Sequence, residues 1–241
     1  MSNSEMEQGL ESIDAGSTAS PSGGAETPSV SSAPPTPSTS GGRRYGGVAQ
    51  AQREQARRAA LIDAATEVFG TVGFRRATVR SVCRLAKLND RYFYAAFDNM
   101  EHLLRATYAH HAQALLGQLQ AAIASSVPTL DARVDAGLHS FFAFLRQPNA
   151  ARVLLLEVMG VSPETDQTYH RYISEFAKLI LSMSNAPPSA SDDAQAQARI
   201  VGVALVGAMT NAGTAWVLMG YQDSEARMVA SCRRVLRGAL L

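Results

Sequence analysis

Apolar side chains recur at three- and four-residue spacing along most of the chain, and no strand-like alternation interrupts them. Ala60, Leu61, Ala64, Ala65, Val68 and Phe69 form one such stripe, with Arg53, Arg57 and Arg58 upstream. Gly73 is expected to stop this helix as a left-handed cap. Thr78 is placed to cap a short helix over Val79–Leu85, the turn Ala86-Lys87-Leu88 follows, and Asn89 caps a second short helix through Phe97. Asn99 opens a longer helix, to Ser125, that carries Leu103, Leu104, Tyr108, Leu115, Leu119 and Ile123. Beyond Pro128 the stripe Val134, Leu138, Phe141 and Leu145 ends before Pro148, and Asn149–Met159 is a compact helix closed by Gly160. Tyr169, Tyr172, Ile173, Phe176, Ile180 and Met183 line the next helix, which Pro187-Pro188 follows. Two helices close the chain, Ala194–Gly220 and Ser224–Leu241, the last with Val229, Cys232, Leu236 and Leu240 on one face. The pattern predicts an all-α protein of about nine helices.

Residues 1–46 break this pattern, being rich in Ser, Pro, Gly, Thr and Ala. Such a stretch buries too little apolar surface to offset the entropy of ordering it, so a disordered tail is expected there. A phosphorylated or partner-binding arm is the alternative, and Arg43 and Arg44 at its end read as linker charges or as contacts to a DNA backbone. The 241 residues are 46% apolar, enough for one large or two small domains with a sizeable core. The formal net charge of +1 hides an uneven distribution. Residues 43–110 hold 12 Lys and Arg against 6 Asp and Glu, whereas residues 111–241 hold 10 of each. A basic block followed by a neutral one fits a module that meets phosphate, followed by one that does not. Cys83 and Cys232 cannot make a disulfide framework or a four-ligand zinc site, which favours a reducing cytoplasm. Ile200–Gln222 is uncharged and long enough to span a bilayer, but Thr210, Asn211 and Thr214 at its middle favour a buried helix over a membrane anchor.

Within the basic block, Thr78–Phe97 reads as short helix, tight turn, short helix. Such a pair works in nucleic-acid recognition because the second helix fits the major groove and presents its first side chains to base edges. Val79, Val82, Leu85, Leu88, Phe93 and Phe97 are spaced to share a core with the Leu61–Phe69 stripe. That leaves Arg80, Arg84, Lys87, Asn89, Asp90, Arg91, Tyr92 and Tyr94 facing outward. From spacing alone, a helical hairpin with a solvated basic face remains an open alternative.

The run Leu61-Ile-Asp-Ala-Ala-Thr-Glu-Val-Phe69, then Gly73-Phe74, Thr78-Val79-Arg80, Tyr94-x-x-Phe97 and Glu101-x-Leu103-Leu104, resembles the N-terminal domain of the tetracycline-repressor (TetR) family over about residues 55–115. The resemblance implies a homodimer that binds double-stranded operator DNA through a helix-turn-helix. It also implies a second helical domain that encloses a small-molecule pocket and carries the dimer interface. By the same resemblance Thr78 bonds a phosphate, aided by the positive helix end, and Tyr94 reaches the DNA backbone while Phe97 stays in the core. Arg80 and Lys87 add charge beside the backbone, and Asn89, Asp90, Arg91 and Tyr92 open the recognition helix. Arg91 is the candidate for a base contact, because its donor fork suits guanine O6 and N7. The chain departs from the family pattern at Lys87, where a glycine is usual, and at Met100, where a lysine is often found. Arg91 and Tyr92 replace small residues, so the operator cannot be borrowed from relatives.

The expected organisation is therefore a tail over 1–46, a DNA-binding domain over 47–115 with its helix-turn-helix at 78–97, and an effector-binding and dimerisation domain over 116–241. His139, Phe142, Met159, Tyr169, Tyr172, Phe176, Asn211 and Trp216 are candidate lining for a pocket that takes an apolar or aromatic effector. Phe141, Phe144, Leu145, Met209, His170 and Thr210 are further candidates. Ala204, Ala208 and Ala212 repeat every four residues, and with Val229, Cys232 and Leu236 they suggest a four-helix dimer interface. The histidines lack metal-ligand pairing with a carboxylate, and neither a nucleophile turn nor a phosphate loop is present. No enzyme activity, cofactor or metal is expected. The expected function is a cytoplasmic, ligand-responsive transcriptional regulator, most simply a repressor on a palindromic operator; the alternative is a ligand-binding or protein-interaction module with a vestigial DNA motif.

Overall fold

A computed structural model describes residues 42–184 and 191–240, with side chains from Ala49 onward. The tail before Gly42, the side chains of Arg43 and Arg44, and Pro187-Pro188 lie outside the described residues. The helices are α1 (Gly42–Val72), α2 (Val79–Ala86), α3 (Asp90–Ala96), α4 (Met100–Ala124), α5 (Leu130–Leu145), α6 (Pro148–Leu156), α7 (Pro163–Leu181), α8 (Asp192–Leu218) and α9 (Glu225–Leu240). A 3-10 turn over Phe74–Arg76 follows α1. Among the described residues there is no strand.

Local chemistry accounts for most of these boundaries. Thr78, Asn89, Asn99, Thr129, Ser162 and Ser191 each accept a backbone N–H at a helix start, a cap worth about 1 kcal/mol. Pro148 and Pro163 occupy first-turn positions where a missing N–H is harmless. Several ends differ by one to three residues from the sequence expectation, as where α6 stops at Leu156 rather than Met159, and two differences at α1 have a clear physical reason. α1 begins at Gly42, inside the stretch read as tail, because a helix anchored at Leu61–Phe69 propagates backward through Ala-, Gln- and Arg-rich sequence at little cost per residue. Gly73 does follow α1 at positive φ, but its ψ of 154° is extended rather than left-handed helical.

Two apolar clusters organise the chain. The first joins Leu61, Ala65 and Phe69 of α1, Val82 and Cys83 of α2, Phe93 and Phe97 of α3, and Leu103 and Leu104 of α4. Each fully buried Leu or Phe here contributes roughly 1.5–3 kcal/mol. Leu85, expected in this cluster, is instead 47% exposed. The α2 helix is only eight residues long, and its packed face is taken by Val82 and Cys83. The second cluster fills the body between α4, α5, α6, α8 and α9. Helix α8 is long and apolar enough to cross a membrane by length and composition, yet Leu205, Val206, Met209, Gly213 and Trp216 are buried within the chain. Helix α4 runs through both clusters, with Leu103 and Leu104 in the first and Tyr108, Leu115 and Leu119 in the second.

Candidate nucleic-acid interface and interior cavity

The α2–turn–α3 unit presents a polar face on an apolar anchor. Thr78 Oγ1 accepts the Ser81 backbone N–H at 3.1 Å, while Ser81 Oγ accepts the Thr78 backbone N–H at 3.1 Å. This reciprocal cap uses the acceptor side of the exposed Thr78 hydroxyl and leaves its O–H to donate. Lys87 ends α2 in the left-handed conformation at φ 55°, and the Leu88 N–H then returns to the Cys83 carbonyl at 3.0 Å. Asn89 Oδ1 accepts the Tyr92 N–H at the start of α3. Phe93 and Phe97 are buried while Asp90, Arg91 and Tyr94 are exposed beside them, Tyr94 at 61%. All eight residues predicted to face outward on this motif, Arg84 included, are exposed. The Cys83 thiol is pushed up to about 11 by burial and then by the neighbouring Asp90 carboxylate, so it stays protonated and unreactive.

Two arginines of α1, read from the sequence only as basic residues upstream of the apolar stripe, hold α3 in place. Arg58 donates to the Ala96 carbonyl at 2.8 Å, at the C-terminal end of α3, and its guanidinium lies 4.2 Å from the Phe97 ring centre. Arg57 stacks on Tyr92 at 4.7 Å. Each contact opposes a positive charge to a carbonyl or to the negative face of a ring. Tyr92 is thus partly engaged within the chain.

The seam between the N-terminal helices and the body is built by α6. Val153 of α6 is fully buried in the N-terminal cluster. Asn149 donates to Glu67 of α1 at 2.6 Å. Just past α6, Glu157 accepts the Phe74 backbone N–H at 2.7 Å with one oxygen and pairs with Arg152 at 2.8 Å through the other. A second link joins α1 to α4, where the Thr66 hydroxyl donates to the Ile62 carbonyl and His111 Nε2 lies 2.8 Å from its oxygen. The committed hydroxyl proton places the ring hydrogen on Nε2. Burial, with help from His110, holds His111 down at about 4, so the ring is neutral at pH 7.

The body encloses an apolar cavity of about 750 Å³, counting the part open to solvent. Leu115 and Leu119 of α4, Phe141 of α5, Leu154 and Leu155 of α6, and Ile173 and Ile180 of α7 line much of it. Of the predicted pocket residues, Tyr169 and Phe176 line this cavity, as do Phe141, Met209 and Thr210. The others lie elsewhere. Phe142 and Trp216 stack edge-to-face in the core, where the Trp216 indole donates to the Asp223 carbonyl at 2.8 Å. Tyr172 packs against Tyr108, while Met159 is 64% exposed. His139 is exposed beside Glu225, and Asn211 is exposed on α8. Helical spacing put these side chains on apolar faces, but the packing of neighbouring helices decides which part of a face borders empty space. The sequence reading placed Leu154 and Leu155 only in a compact helix and did not count them as pocket lining.

The predicted dimer residues also divide. Ala204 and Ala208 are exposed and Ala212 half-buried on α8, near the exposed Ile200, Val203 and Leu218. Val229, Cys232 and Leu236 are buried in the chain's own core instead, with α9 packed on α5. Ion pairs Arg233–Asp135 and Arg237–Asp131 flank that packing. These three are therefore intramolecular, and the exposed side of α9 carries Val235.

Residues 61–107 match the family model of bacterial regulatory proteins, tetR family. Among solved structures, the fatty acid degradation regulator FadR from Bacillus halodurans aligns at a TM-score of 0.64 and 16% identity, over 76% of this chain and 96% of that one. The transcriptional regulator FadR from Bacillus subtilis, in complex with stearoyl-CoA, aligns at 0.63 and 18% identity, over 74% and 96%. A putative tetR family transcription regulator from Shewanella sp. PV-4 aligns at 0.59 and 17% identity, over 76% and 97%. Residues 61–107 thus match the model of bacterial regulatory proteins of the tetR family, and the described chain has the all-helical fold of the regulators it aligns with.

Proposed function

We propose that the chain is a cytoplasmic, ligand-responsive repressor that binds a palindromic operator as a homodimer. The observation that carries this reading is the first turn of α3, where Asn89, Asp90, Arg91 and Tyr94 are exposed above a buried Phe93 and Phe97. In this reading residues 47–115 are the DNA-binding domain and 116–241 the effector and dimer domain. Arg91 contacts a base, while Thr78, Arg80, Lys87 and Tyr94 contact the phosphate backbone. The exposed Ala204 and Ala208, with Ile200, Val203, Leu218 and Val235 around them, form the surface that pairs with a second copy. Pairing sets two α3 helices about one duplex turn apart, roughly 34–36 Å.

The effector is apolar and elongated. The cavity offers hydroxyls of Tyr108, Tyr169 and Thr210 but no charged side chain, and the Thr210 hydroxyl already bonds the Val206 carbonyl at 3.0 Å. A hydrocarbon or acyl chain suits that lining, and the stearoyl-CoA held by the Bacillus subtilis neighbour is consistent with it. Leu154 and Leu155 face the cavity from the same short helix whose Val153 is sunk in the N-terminal core. An effector that favours one position of α6 thereby favours one position of the DNA-binding helices, which is the differential contact that coupling requires. Helix α4, which runs through both cores, is one lever, and α6 stands beside it as a second element with a side in each.

Selection of bound fragments from the source genome, followed by titration at several salt concentrations, tests the reading. Genuine phosphate contacts give an affinity that falls steeply with ionic strength; a protein that stays single and binds no fragment at low salt refutes it. Filling the cavity through Ile180→Trp should abolish binding of a fluorescent fatty-acid probe while leaving DNA affinity in place. Undiminished probe binding would remove the cavity from the account.

A further inference from the structure

A second, chemically opposite cleft lies at the seam itself. It is about 620 Å³, counting its open part, and its walls come from both halves of the chain. Arg75 and Arg76 of the 3-10 turn and Arg152 of α6 line it together. The only carboxylate there, Glu157, is already spent on Arg152 Nε and the Phe74 N–H. Only Nε of Arg152 is engaged in that pair, so its two terminal nitrogens are left to donate. Gly73 turns the chain into the cleft at φ +85°, a conformation that L side chains rarely adopt, whereas a Cβ there would make only ordinary contact with Glu157 at 3.4 Å and Arg152 Nη2 at 3.5 Å. Among the described residues, Arg75 and Arg76 are exposed and take part in no ion pair. One rim is apolar, with Val72 40% exposed and Met159 64% exposed.

We propose that this cleft binds a multiply charged phosphorylated small molecule, whose phosphoryl oxygens bridge Arg75 and Arg76 to Arg152. Guanidinium forks suit such oxygens, and each charge-assisted contact is about twice as strong as a neutral one. Three guanidiniums facing one committed carboxylate leave a surplus of positive charge that a multivalent anion neutralises. Because Arg75 and Arg76 belong to the N-terminal segment and Arg152 to α6, the bound anion ties the seam together. It meets the same helix whose Leu154 and Leu155 border the apolar cavity, so the two sites bias one element. The exposed Val72 and Met159 give an organic part of the ligand an apolar surface to cover. The inference stands whether or not the chain binds an operator, since it concerns only the seam.

The test is calorimetric titration of the full chain with inorganic pyrophosphate and separately with ADP, at low and constant ionic strength. Both should bind, and the double variant Arg75→Gln/Arg76→Gln should weaken them by tenfold or more while its melting curve is unchanged. Arg152→Gln should do the same, with a melting curve that reports any loss of the Glu157 contact. ADP tighter than pyrophosphate assigns the site to an organic phosphate that uses Val72 and Met159; equal affinities assign it to a free polyphosphate anion. No heat from either anion, or equal affinity in the wild type and the double variant, overturns the proposal. A double variant that loses DNA affinity yet titrates pyrophosphate like the wild type also overturns it, and assigns the two arginines to the duplex backbone.

Discussion

Gly70 is the most economical probe of the α1–α6 seam. It lies inside α1, where intrinsic helix propensity favours alanine over glycine by about 1 kcal/mol. Propensity alone therefore predicts that Gly70→Ala stabilises the protein. The tertiary structure predicts the reverse. A Cβ at Gly70 would lie 2.3 Å from the Asn149 Cβ and 2.4 Å from its Cα, in the first turn of α6. Carbon atoms in contact settle at about 3.5–4.0 Å, so α6 must withdraw by roughly an ångström. Overpacking of this kind costs about 1–3 kcal/mol. The withdrawal also threatens the 2.6 Å Asn149–Glu67 hydrogen bond, worth about 1 kcal/mol, and the seat of Val153. After the propensity gain is set against these losses, a net destabilisation of about 2 kcal/mol remains. For a chain of this size that lowers the melting temperature by about 4–8 °C, read by circular dichroism. In the proposed function the same variant weakens the response of DNA affinity to a fatty-acid probe, since α6 no longer bears on α1. A variant as stable as the wild type, or more so, would refute the close seam on which that coupling depends.

Arg91→Ala should relax sequence preference, whereas Thr78→Ala and Tyr94→Phe should weaken all sites alike, measured by titrating matched and mismatched duplexes. Thr78→Ala should in addition lose about 1 kcal/mol of stability with its cap; a base preference unmoved by Arg91→Ala would contradict the assignment. Lys87 holds φ 55° without being glycine, so Lys87→Gly should raise the urea midpoint by about 1 kcal/mol equivalent, and a fall would show that its side chain has a structural partner. His111 sits at about 4 against an ordinary 6.5. Between those pH values the unfolded chain binds a proton that the folded chain refuses, so stability is present above the window and drops as pH falls through it. His111→Gln should flatten that loss by about 1 kcal/mol, less than full linkage because the ring is not wholly buried, as judged from urea midpoints at pH 7 and pH 5. An unchanged slope would show that His111 titrates freely.

What the sequence determined by itself is the part governed by short-range rules. The caps Thr78, Asn89 and Asn99, the turn at Lys87 and the outward set on α2 and α3 follow from which side chains share a helical face and which polar groups satisfy a helix end. The exception within that unit is Leu85: a helix of two turns has more apolar positions than its neighbours can cover. Packing between helices settles where one meets another and where the meeting leaves space. Val229, Cys232 and Leu236 make a good stripe, but nothing local says whether α5 or a second copy will cover it, and α5 does. Tyr169 and Tyr172 occupy neighbouring positions on one helix and both pack on Tyr108, yet of the two only Tyr169 borders the cavity. Most decisively, the uniform apolar run of α6 hides two allegiances, Val153 to the N-terminal core and Leu154 and Leu155 to the cavity. Periodicity reports that a side chain is apolar and on which face; only the arrangement of the surrounding helices assigns it a neighbour.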